Sequence, residues 1–252
     1  MPEELEYQYN YSDLKQSVFS VTGRQRKAAT MVAIMAEHLE QDLGELSVLS
    51  VGGSTGIIDE YLARHFQSVC GIDIDEKAIA YAKENFQRDN LSFEIGDALH
   101  LKHKEESFDV VICAHIYEHV PDAAQMMNEI YRVLRPGGTV YFAAANRIAL
   151  IEPHYKLPLL SIPPRPISNL YLRLTGKGKY YYEKHLTYWG LKKLVRKFQI
   201  ADYTTHVLED PNKYETTYMV APGSATQKLA IIVSRYFTWV MPNWIWLLKK
   251  PG

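Results

Sequence analysis

The stretch from Ser47 to Asp97 constrains this chain more than any other. Ser47–Val51 is an apolar run of strand length, and Gly52, Gly53, Ser54, Thr55 and Gly56 follow it directly. The spacing from Ile57 to Phe66 predicts a helix. A second strand, Ser68–Asp73, closes on a carboxylate, and a third, starting at Leu91, closes on Asp97. In such a unit the glycine-rich turn brings backbone against a ligand, and the acid at a strand end meets a sugar hydroxyl. The order implies a nucleoside-binding α/β half-domain.

The alternation continues beyond it. Ser107–Ala114 and Thr139–Ala145 are continuous apolar runs, the pattern of parallel strands covered on both faces. Helices are predicted over Glu76–Gln87 and Ala123–Leu134, the second stopped by Arg135, Pro136, Gly137 and Gly138. The predicted fold class is α/β: a doubly wound, Rossmann-like, mostly parallel seven-stranded sheet with right-handed crossovers. Residues 1–46 read as a helical N-terminal cap. There Tyr7, Tyr9 and Tyr11 alternate with polar residues, and Met31, Ile34, Met35, His38 and Leu39 recur at helical spacing within Arg24–Leu43. Residues 147–186 carry Pro153, Pro158, Pro163, Pro164 and Pro166, which forbid a regular strand or one continuous helix. A lid or substrate-binding insertion is expected there. Helix Tyr188–Phe198 follows, then strands Ile200–Val207 and Tyr214–Val220, expected to pair as an antiparallel hairpin at the sheet edge. The main domain therefore reads as residues 47–224, and residues 225–252 as an amphipathic tail.

Charge excludes one broad class of partner. Lys plus Arg number 28 and Asp plus Glu 29, for a net charge of -1, with no basic run, so no nucleic-acid partner is expected. Cys70 and Cys113 both fall in predicted strands and read as core residues, not as a disulfide or metal pair. No metal site is expected. The acidic start of the chain lacks the apolar segment of a secretory signal, which suits a cytoplasmic protein. Arg235 and Pro242 interrupt the apolar tail, so it is not expected to span a membrane. Its Trp239, Trp244 and Trp246 with Lys249 and Lys250 suit peripheral contact with a membrane surface. Packing on the domain or on a second copy in a homodimer is the alternative.

Four blocks, Val48–Gly56, Gly71–Asp75, Gly96–Ala98 and Phe108–Val120 through Leu134–Gly138, carry a family resemblance. Together they resemble the class I S-adenosylmethionine-dependent methyltransferases, closest to the broad small-molecule, type 11-like group, over most of residues 47–146. The resemblance implies S-adenosylmethionine as cofactor. It places Gly52, Gly53, Ser54 and Gly56 near the methionine part and Asp73 on both ribose hydroxyls. Asp97 then takes the adenine amino group, Ala98 and Ile74 lie beside the ring, and His115 lines the methionine end. Two positions depart from the family. Ser50 stands where an acid is usual, which removes a contact of about 1–3 kcal/mol. Ser54 stands where glycine is usual, and tolerates a left-handed backbone less readily.

Methyl transfer of this kind needs donor, carbon and acceptor held in line and water excluded. A base is needed only when the acceptor must lose a proton, and His119, His154 and His185 are the candidates. His100 and His103, in a charged stretch, read as surface residues. The expected acceptor is a small or lipid-like molecule methylated on oxygen, then carbon, then nitrogen in order of preference. A non-catalytic binding or scaffold protein is the alternative that the altered glycine turn motivates. A nicotinamide-dependent oxidoreductase is disfavoured, because Gly52, Ser54 and Gly56 do not complete a Gly-x-Gly-x-x-Gly turn.

Overall fold

Five apolar runs become the parallel part of a sheet: β1 (Ser47–Val51), β2 (Ser68–Asp73), β3 (Leu91–Ile95), β4 (Phe108–Ala114) and β5 (Leu134–Ala145). Ahead of β1 lie α1 (Tyr11–Leu14) and α2 (Val21–His38), and the crossovers carry α3 (Ile57–Leu62), α4 (Glu76–Asn85) and α5 (Ala123–Val133). The computed structural model describes residues 9–252, so Tyr7 lies outside the described residues. Val48, Leu49, Val111, Val140 and Phe142 are completely buried, which is why these strands show no polar alternation. α2 lays Ala28, Met31, Ile34 and Met35 into the core. Asp75 caps α4 by accepting from the backbone of Lys77 and Ala78, and Asp122 caps α5 the same way through Ala124 and Gln125.

Residues 147–186, the expected insertion, contain β6 (Ile151–Glu152), β7 (Leu157–Pro158) and α6 (Arg165–Leu174). β6 and β7 pair antiparallel, and Leu157, Leu160, Leu172 and Tyr181 give the segment a small core of its own. Pro164 and Pro166 sit at the start of α6, where a missing N–H costs nothing. α7 (Tyr188–Leu194), β8 (Gln199–Asp202), α8 (His206–Glu209), α9 (Ala225–Tyr236) and β9 (Asn243–Lys249) complete the chain.

The seven-stranded sheet runs β3-β2-β1-β4-β5-β9-β8. Its antiparallel edge exists, but the expected hairpin partner is replaced. β9 pairs with β5 from Thr139↔Lys249 to Ala145↔Asn243, and β8 pairs with β9, not with Tyr214–Val220. The Tyr214–Val220 stretch is a turn segment, tied by the Thr216 hydroxyl donating to the Val207 carbonyl at 2.6 Å. Its Thr and Tyr content favours strand only where a partner edge exists, and β9 already fills that edge.

The tail reading changes accordingly. Trp244 and Trp246 are completely buried inside the sheet, and the ammonium of Lys250 donates to the Leu134 carbonyl at 2.7 Å. These groups are not available to a membrane surface. Only Trp239 of the three remains partly exposed, beside Trp189. No described helix is long and apolar enough to cross a membrane.

Candidate active site

The carboxyl ends of the parallel strands open into a cavity of about 1040 Å³. Gly52, at the end of β1, has φ +73, and a Cβ there would stand 2.2 Å from Ile116 Cδ1. A side chain there would have to displace Ile116 and hold a left-handed backbone. Ser54 takes φ 54, the left-handed conformation a glycine would adopt freely, and its N–H donates to Asp73 Oδ2 at 2.8 Å. Asp73 Oδ1 accepts from the Asp75 N–H at 2.9 Å. Each oxygen keeps a lone pair for a ribose hydroxyl. Burial raises the Asp73 pKa and the two amides pull it back part of the way.

Ile74, Asp97, Ala98 and His115 line the same cavity. Asp97 Oδ1 also accepts from the Leu99 N–H at 2.8 Å, which fixes the turn after β3. His115 holds φ 59, anchored by its N–H donating to the Ala143 carbonyl at 2.8 Å. Two members of the expected set lie elsewhere. Neither Gly53 nor Gly56 lines the cavity. A Cβ on Gly53 would meet Asp59 Oδ2 at 2.3 Å, and one on Gly56 would meet the Phe93 ring at 2.7 Å. Both serve packing behind the turn.

That packing reveals an acid the sequence reading missed. Asp59, on α3, is completely buried, and its carboxylate fills the space that glycine leaves at Gly53 and at Gly71, where a Cβ would stand 2.2 Å away. Ser50 is buried beside it. An acid therefore does sit beneath the turn, delivered by the helix instead of by β1. Burial pushes the Asp59 pKa up, against the Ser50 hydroxyl and Arg24, to about 7. The folded state then binds more protons than the unfolded state between the ordinary carboxylate range and pH 7, so this group's contribution to stability falls as pH rises through that window. Asp59→Asn is expected to stabilise the protein by about 2–4 kcal/mol at pH 8, at 1.36 kcal/mol per pKa unit, and to give little at pH 4. Thermal unfolding at the two pH values reads this; equal midpoint shifts at both would refute it.

Arg24, on α2, is a second missed residue. It lines the cavity half-buried, and makes no ion pair among the described residues. A guanidinium so placed can clasp a ligand carboxylate with two parallel N–H bonds. Nothing in the local sequence Gly23-Arg24-Gln25-Arg26 marks one arginine over the other.

The three candidate bases gather in one cluster, but only two reach the cavity. His119 and His154 line it, with ring centroids 4.9 Å apart. His185 lies behind them, its side chain 1% exposed and Nε2 3.4 Å from Glu152 Oε1, so it cannot touch an acceptor directly. His154 Nδ1 sits 2.7 Å from the same Glu152 oxygen. Burial lowers the His119 pKa to about 4, despite the opposing Glu118 carboxylate. Burial would raise Glu118, but His115, His119 and His185 outweigh it and hold it at about 2. Across the cavity, Met31, Tyr141, Leu229, Val233 and Trp244 form an apolar wall.

Of the remaining candidates, His100 is exposed as expected, whereas His103 packs on Phe108 and approaches Cys70 at 3.8 Å. Cys113 is buried, whereas Cys70 is only half-buried.

A seven-stranded, mostly parallel sheet with antiparallel edge strands and a carboxylate at the end of its second strand is a Rossmann-like architecture shared with class I methyltransferases. The family model described as a methyltransferase domain matches residues 49–142. A ubiquinone biosynthesis O-methyltransferase of Coxiella burnetii is 30% identical over 141 residues, covering 54% of this chain and 60% of that protein. The enzyme of the same name from Pseudomonas entomophila is 35% identical over 123 residues, covering 45% and 53%. The chain thus spans between half and two thirds of these relatives' length. The solved S-adenosylmethionine-dependent methyltransferase of Mesorhizobium loti shares the fold at TM-score 0.58 and 17% identity, over 87% of this chain and 97% of that one. Residues 49–142 match the methyltransferase-domain family model, and the chain shares its fold with S-adenosylmethionine-dependent methyltransferases.

Proposed function

We propose that this protein transfers a methyl group from S-adenosylmethionine to an oxygen of a small, hydrophobic acceptor. One observation carries the reading: a single cavity joins the Asp73 carboxylate to an apolar wall, with His115 and His119 on its lining. The cofactor supplies an activated methyl group on a sulfonium. Asp73 and Asp97 hold its nucleoside and Arg24 its carboxylate. The apolar wall of Met31, Tyr141, Leu229 and Trp244 excludes water and suits a lipid-like acceptor. Burial keeps His119 neutral at ordinary pH, and it borders the cavity, so its imidazole can accept a hydrogen bond from an acceptor hydroxyl and orient it. The two relatives named as O-methyltransferases support oxygen as the acceptor atom.

Calorimetry with S-adenosylhomocysteine is expected to show one site per chain. Labelled S-adenosylmethionine with a cell extract is expected to move label into an organic-soluble product. Binding without label transfer favours the scaffold alternative, and absence of both sinks the reading. His119→Gln is expected to lower kcat on the order of 100-fold while leaving S-adenosylhomocysteine affinity unchanged. A lipid-like acceptor also fits Ile167, Leu170 and Leu174, which α6 leaves exposed. Membrane contact is assigned to this helix in place of the buried Trp244 and Trp246, and co-sedimentation with anionic vesicles tests it.

A further inference from the structure

The two ends of the lid bring Glu152, His154 and His185 together, and their ligand atoms all lie within 4.8 Å of one another. Glu152 is completely buried. Its Oε2 accepts from the Tyr155 N–H at 2.7 Å, which leaves Oε1 turned to the two imidazoles. A hydrogen-bond network among the side chains themselves is the ordinary explanation for such a group, and here it leaves too much unsatisfied. Both oxygens of Glu118, Oε2 of Glu183, Nδ1 of His119 and Nδ1 of His185 are buried without a hydrogen-bond partner among the described residues. His115 Nδ1 stands 3.5 Å from Glu118 Oε1. Glu118, Glu152 and Glu183 thus bring three carboxylates into one buried cluster. Among the described residues no lysine or arginine makes an ion pair with any of them. Buried carboxylates without a matching cation are costly, and native structures rarely keep several orphaned polar atoms side by side.

We propose that Glu152, His154 and His185 bind one divalent transition-metal ion of the zinc class at the inner wall of the cavity. Two imidazole nitrogens and one carboxylate oxygen suit zinc, cobalt, iron or manganese, and suit magnesium or calcium poorly. In a tetrahedral site with bonds of about 2.1 Å, ligand atoms stand about 3.4 Å apart. The Glu152–His185 pair already has that spacing, at 3.4 Å. The Glu152–His154 contact of 2.7 Å opens slightly when a shared proton gives way to the ion. A fourth position faces Glu118 and His119, which form a second group of ligand spacing with His154. Filling it with Glu118 would satisfy that carboxylate. Because the ion ties residue 152 to residue 185, it fastens both ends of the lid.

The site does not depend on methyl transfer, and S-adenosylhomocysteine binding measured in parallel separates the failure of one reading from that of the other. The full chain is stripped with a chelator, loaded with Zn²⁺ or Co²⁺, desalted, and its metal content measured, with the visible spectrum of the Co²⁺ form as a second readout. One retained ion per chain with nitrogen-ligand absorption is expected. Glu152→Gln and His185→Gln should each weaken binding at least about 100-fold, more than a residue that only supports a ligand. His103→Gln, at the separate Cys70–Glu94–His103 group, should leave the lid ion in place. No retained ion in the unaltered protein overturns the proposal, as does loss of the ion on His103→Gln alone. Circular dichroism verifies that each variant is folded, and the unaltered chain decides the matter even if one is not.

Discussion

Asp73→Ala is expected to weaken S-adenosylhomocysteine binding about 100-fold or more, read by calorimetry. Two effects act together. The ribose loses two hydrogen bonds to an ionised acceptor, each in the range of about 1.5–3 kcal/mol. The Ser54 N–H also loses the partner that holds residue 54 at φ 54. That conformation is costly for a residue with a side chain, so the turn is expected to relax away from the cofactor. The fold should survive, because Asp73 ends a strand whose apolar residues Val69 and Ile72 do the packing. An affinity within a few-fold of the unaltered protein would place the ribose elsewhere.

Trp246→Ala is expected to destabilise the protein by about 3–5 kcal/mol, the usual range for an aromatic removed from a core. At about 2–4 °C per kcal/mol for a chain of this size, the midpoint should fall by roughly 10 °C. The indole is completely buried, stacks on Phe142 at 6.2 Å, and meets Tyr188 edge-on at 5.9 Å. Its Nε1 has no hydrogen-bond partner among the described residues. Trp246→Phe should therefore cost far less, since it keeps a ring and removes an orphaned donor. If the two substitutions cost the same, packing is not what the residue supplies.

These two residues also mark what could be read from sequence and what could not. Asp73 was legible because its strand is a continuous apolar run and the acid stands at its end, both local signals. Trp246 was visible as a tryptophan, but its partner strand begins more than one hundred positions earlier, and no local pattern records that pairing. Asp59 was hidden for a related reason. Its role exists only because Gly53 and Gly71, from two other elements, leave room for its carboxylate. The three histidines expected from the sequence lie together in the structure. Which of them faces the cavity depends on how the proline-rich lid folds back, and periodicity carries no information about that.

The position of β9 has a consequence for how the chain is made. Residues 243–249 are synthesised after every other strand of the sheet, yet they lie between β5 and β8. Until they emerge from the ribosome, β5 presents an open edge with Val140 and Phe142 beside it, and β8 has nothing to pair with. Such an edge is a template for pairing with another nascent chain. Translation that stalls anywhere between Asp202 and Asn243 therefore leaves a sticky intermediate in need of a chaperone, even though the cofactor-binding half is already in place.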